Sequence, residues 1–130
     1  MEKIVLVQVD ASVERQIRRL AENKKIHVVS VGTEAAGKTV DEIIHFRNST
    51  DDVSAEKMTS EDKELLPSSS LMIFSDVSEK HFDKLLFEMR EKRITVDFKA
   101  VVTPTNRSWS IGRLYTELEK EKIFYLSRNR

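Results

Sequence analysis

Four apolar segments separated by amphipathic stretches predict an α/β fold. The expected form is a three-layer, four-stranded parallel sheet of strand order 2-1-3-4 with helices on both faces, a truncated doubly wound, Rossmann-like arrangement. Three observations carry this expectation. The chain has four apolar runs, Lys3–Val9, Ile26–Val31, Leu71–Phe74 and Phe98–Val102, and the first is near-continuous rather than alternating, as in a strand covered on both faces. Helix-forming patterns separate them. At 130 residues the chain suits one domain, 1–130, with a single core. A ferredoxin-like α+β sheet is the alternative if the irregular acidic excursion at about 48–70 conceals a strand.

In chain order, Lys3–Val9 (KIVLVQV) ends at Asp10. Val13, Ile17, Leu20 and Ala21 then fall at helical spacing across 11–24, with Glu14, Arg15, Arg18, Arg19 and Glu22 on the other faces. Asp10 or Ser12 caps that helix. Ile26–Val31 (IHVVSV) completes a βαβ unit and stops at Gly32. Thr39-Val40-Asp41-Glu42 reads as a capping box opening a short helix with Val40, Ile43, Ile44 and Phe46 on its apolar face. The stretch from Asn48 to Glu64 is polar and net acidic, a surface excursion with one short helix expected at Ser60–Leu66 before Pro67. Leu71–Phe74 is the third strand. The helix Ser78–Lys92 has the cleanest period of all: Phe82, Leu85, Leu86 and Met89 at i, i+3, i+4 and i+7. The fourth strand runs into Thr103-Pro104-Thr105-Asn106, and a final helix beginning near Ser108 carries Ile111, Leu114, Tyr115 and Leu118.

Composition excludes several function classes. Lys and Arg together number 22, and so do Asp and Glu, so there is no broad cationic field of the kind that gathers nucleic-acid phosphates. Without cysteine there is no disulfide, thiolate nucleophile or cysteine-ligated metal, which suits a reducing cytoplasm. No apolar run approaches a membrane span or a signal-peptide core, so a cytoplasmic protein is expected. His27, His45 and His81 sit on separate elements with no partner at ligand spacing, so neither a metal nor another cofactor is expected.

The pattern K-A-V-V-T-P-T-N-R-x-W at Lys99–Trp109, followed by Leu114, Glu117 and Leu118, resembles a bacterial family described as a domain of unknown function. Members pair such a segment with an upstream strand and helix like those from Leu71 to Arg93. The resemblance covers roughly the C-terminal half, and the N-terminal half is similar only through the Lys38-Thr39-Val40 helix start. It implies a domain and supplies no catalytic residues.

If all four strands run the same way, their polar ends meet on one rim, where ligands of open parallel sheets bind. That rim would gather Asp10, Asp76, Thr103, Thr105 and Asn106, with Trp109 as a stacking face and the helix start near Ser108 offering N–H groups to an anion. The same residues also serve as ordinary caps and turn formers. Asp10, Asp76 and Thr103 echo the acidic and hydroxyl positions of a receiver domain, but no second acid adjoins Asp10 and Lys99 stands at the wrong end of its strand. GTEAAGKT at Gly32–Thr39 formally completes a phosphate-loop pattern with Gly32, Gly37, Lys38 and Thr39. It follows the second strand rather than the first, precedes a short helix, and carries Glu34 inside the cradle. The expected function is therefore a binding or regulatory module, not an enzyme, that pairs with itself or another protein. The alternative is a phosphate or nucleotide binder.

Overall fold

The computed structural model describes residues 2–32, 35, 37–45 and 69–128, with side chains through 121. The short helix expected at Ser60–Leu66, the acidic excursion, Phe46, and the loop residues Thr33, Glu34 and Ala36 lie outside the described residues. Strands β1 (Lys3–Val7), β2 (His27–Val31), β3 (Leu71–Ser75) and β4 (Phe98–Val101) form one sheet of order β2-β1-β3-β4. The order is the one the sequence predicts; the directions are not. β1 and β2 are parallel, β3 and β4 are parallel, but the central pair β1–β3 is antiparallel, with Lys3 opposite Ser75 and Val7 opposite Leu71. The sheet is therefore mixed rather than purely parallel. Nor is it ferredoxin-like, because β1 pairs in parallel with β2. The reason for the miss is physical. A near-continuous apolar run encodes burial on both faces, which Ile4–Val7 and Leu71–Phe74 do show, but it says nothing about direction. The connection between β2 and β3 is long enough to return the chain from either end.

The helices start and stop where local chemistry directs. Helix α1 (Ala11–Glu22) begins at Asp10, whose carboxylate accepts from the Ser12 amide. Helix α2 (Val40–Ile44) carries the expected capping box: Thr39 Oγ1 accepts from Glu42 N, and Glu42 Oε1 accepts from Thr39 N, both at 3.1 Å. Helix α3 (Glu79–Glu91) is capped by Ser78, and helix α4 (Ile111–Arg128) follows a 3₁₀ turn, Asn106–Ser108. The final helix thus opens later than its expected start near Ser108. Trp109 is extended, because an antiparallel bridge between Thr39 and Ser110 pins it: Val40 N donates to Trp109 O and Ile111 N to Lys38 O, each at 2.9 Å.

Alternate strand residues feed two core clusters. Ile4, Leu6, Met72 and Phe74 pack with Ile17, Leu20, Leu85 and Met89 of α1 and α3. Val5, Val7, Leu71 and Ile73 pack with Val40, Ile43, Ile111, Leu114 and Tyr115 of α2 and α4. Each fully buried side chain of this size stabilises by about 1.5–3 kcal/mol relative to exposure.

Candidate functional site

The antiparallel centre splits the expected rim. Asp10 and Gly32 follow the ends of β1 and β2, whereas Asp76, Thr103, Thr105 and Asn106 follow β3 and β4 at the opposite end of the sheet. Asp10 is exposed and occupied as a cap: Ser12 Oγ donates to it at 2.6 Å, and that bond, with the Ser12 amide, holds its carboxyl below the usual range. It does not join the others.

The Thr103–Asn106 turn is held by its own side chains. Thr103 N donates to Asn106 Oδ1 at 2.9 Å, Asn106 N to Thr103 Oγ1 at 3.1 Å, and Asn106 Nδ2 to Val101 O at 3.0 Å. Asn106 is buried, so this turn is a structural brace. Thr105 is exposed and makes no capping bond to the 3₁₀ turn. Thr103, Asn106 and Trp109 do share a groove of about 290 Å³ beside β4; separately, the Arg113 guanidinium lies 4.6 Å from the centre of the Trp109 ring.

Asp76 opens on a different and larger space. A cleft of about 580 Å³ at the end of β3 is lined by Ser75 and Asp76, by Lys3 and His27 from the starts of β1 and β2, by Ile44 and His45 from the end of α2, and by Arg107 from the 3₁₀ turn. The antiparallel pairing creates it, by bringing the start of one strand pair beside the end of the other. Lys3 Nζ donates to Ile44 O, tying β1 to α2. Arg107 Nε donates to Asp41 Oδ1 at 2.8 Å, which lowers the Asp41 pKa; that hydrogen bond and charge raise the Arg107 pKa, with a further contribution from the Asp76 charge. His45 Nδ1 is 2.8 Å from Asp41 O. The lining therefore presents cations, imidazoles and a carboxylate around one space. Among the described residues, no group of three His, Asp or Glu side chains could hold a metal ion.

Sequence reasoning found only Ser75 and Asp76, neighbours at the end of β3, of this lining. Lys3, His27 and His45 are single polar residues on three different elements, with no spacing that links them. Arg107 stood inside the Thr-Pro-Thr-Asn-Arg segment, but only the fold supplies its partners.

In the Gly32–Thr39 loop, the Lys38 amide donates to Ala35 O at 2.9 Å, Thr39 N to the Glu42 carboxylate, and Val40 N to Trp109 O. These N–H groups, which a phosphate would need, are engaged within the protein, and Lys38 Nζ lies 3.9 Å from Glu42 Oε2. Gly37 belongs to the turn before them. No helix of the described residues is long and apolar enough to cross a membrane.

No curated protein and no solved structure matches the chain. Residues 70–125, the stretch from just before β3 into α4, match the family described as a domain of unknown function, DUF3783.

Proposed function

We propose that the chain is a binding module, without catalytic chemistry of its own, whose cleft at the end of β3 takes a small polar acid. Such a ligand carries a carboxylate or phosphate for Lys3 and Arg107, and a hydroxyl or ammonium donor for Asp76. The observation that carries this reading is the convergence of Lys3, His27, His45, Asp76 and Arg107 on one cleft of about 580 Å³. A space of that size suits a metabolite. Mixed charge around it favours a ligand bearing both an acidic group and a donor over a simple anion. The engaged amides of Ala35, Lys38 and Thr39 leave the phosphate-loop reading without comparable support.

Thermal-shift and calorimetric titration with inorganic phosphate, hydroxy acids and amino acids tests the proposal. At least one hydroxy acid or amino acid raises the melting temperature, and Arg107→Gln or Asp76→Asn weakens its binding roughly 10- to 100-fold, as expected for a lost charge-assisted hydrogen bond. No response to any of these probes, or an unchanged affinity in both variants, overturns it.

A further inference from the structure

The two halves of the described chain repeat one another at a series of corresponding positions. Gln8 and Asp76 are both left-handed at the strand-to-helix junction, with φ of 55° each. Asp10 and Ser78 are the two N-caps that follow. Lys25 and Arg93 are both left-handed after the helix, φ 58° and 56°, and the next residues, Ile26 and Ile94, return their amides to Ala21 O and Met89 O. All these pairs share one offset, the 68 residues from Gln8 to Asp76.

The core follows the same rule. Ile4, Leu6, Ile17, Ala21 and Ile26 of one cluster have Met72, Phe74, Leu85, Met89 and Ile94 as counterparts at that offset, all buried in the same cluster. Three extra residues precede β4, after which the correspondence resumes. Lys38 N donates to Ala35 O as Trp109 N does to Asn106 O, and the caps Thr39 and Ser110 form the bridge described above. The antiparallel β1–β3 register centres on Val5 opposite Ile73, which are themselves counterparts. This is what a two-fold axis through the middle of the sheet produces. The family match, 70–125, spans the second copy and none of the first.

A two-fold arrangement makes two crevices, one at each end of β1–β3, and here they differ. At one end stand Lys3, Ser75, Asp76 and Ile44, lining the open cleft. Their counterparts at the other end are Leu71, Val7, Gln8 and Tyr115. There Tyr115 is buried, its hydroxyl donating to Ser69 O at 2.7 Å and accepting from Gln8 Nε2 at 3.3 Å, its ring edge-on to Phe98.

We infer that residues 3–45 and 71–116 are two copies of one βαβ-turn-α unit, that the ligand site lies between the copies, and that its twin at the opposite end has been sealed by Tyr115. The matched family domain supplies Ser75, Asp76 and Arg107 to the cleft. The other copy supplies Lys3, His27, Ile44 and His45, so the site is incomplete without it. The assignment of the cleft as a ligand site rests on the proposed function; the duplication does not.

The test installs the sealed end's residues at the open end of the full chain: Lys3→Leu, Ile44→Tyr, Ser75→Val and Asp76→Gln. The fourfold variant melts cooperatively within a few degrees of the parent, the new phenol at position 44 ionises later than a free tyrosine in absorbance at 295 nm, and the response to any acid bound by the parent disappears. A new phenol that titrates as an exposed tyrosine overturns the duplication. If the fourfold variant does not fold, Ile44→Tyr alone decides: a late-titrating phenol supports the two-copy reading, and an exposed phenol or an unfolded chain refutes it. A parent that binds none of the probes, beside a folded variant with a buried phenol, removes the ligand reading while the duplication stands.

Discussion

Tyr115 draws its importance from partners far away in the chain. Its hydroxyl donates to Ser69 O and accepts from Gln8, and burial, opposed by the Gln8 hydrogen bond, raises its pKa above the usual 10.0. Tyr115→Phe leaves Ser69 O without this donor, and equilibrium denaturation registers a loss of about 1 kcal/mol. A phenol held protonated in the folded state contributes stability that is whole below the unfolded value of 10.0 and is lost as pH rises through the higher folded value. The parent's melting temperature therefore falls above pH 10, and the Phe variant's falls less steeply; equal slopes refute the assignment. Asp10 and Thr39 were readable as caps because a cap and its target amide lie within three residues of one another. Gln8, Lys3 and His27 were not, since nothing nearby in the chain announces a partner in another element.

The strand and helix patterns were legible almost throughout. Ile17, Leu20 and Ala21 in α1, and Leu85 and Met89 in α3, are buried at the positions their periodicity marked. Both helices end in the same hydrogen-bonded form, with Lys25 and Arg93 left-handed where glycine is the usual occupant. A side chain in that conformation costs about 1 kcal/mol, partly offset by the greater freedom glycine has when unfolded. Lys25→Gly and Arg93→Gly each raise stability by about 0.5 kcal/mol in urea denaturation, and by similar amounts because the two positions are equivalent. A decrease in either variant means that its side chain holds the turn. The start of α4 was misplaced because its boundary depends on the bridge to Thr39, which no rule confined to neighbouring residues contains.

Among the described residues, β1 and β3 are paired on both sides while β2 and β4 are edges. Native-state hydrogen exchange is consequently slowest at the amides of β1 and β3, around Val5 and Ile73, and faster along β4, whose burial is incomplete. Faster exchange at Val5 and Ile73 than along β4 would contradict the pairing. The expected common rim failed on one feature, strand direction, and the failure moved the candidate site: Asp10 lies at the other end of the sheet, and Lys3 and His27 line the cleft from the starts of their strands. The sequence had already settled which of the described segments are strands and helices, that Asp10 and Thr39 cap the first two helices and which stretches feed the core, because those outcomes follow from interactions among near neighbours and from hydrophobicity. Direction of the central pair, the facing of two similar halves, the cleft between them and the plug at the far end were decided only in three dimensions. Each depends on contacts between residues tens of positions apart, whose energies leave no periodic mark on the chain.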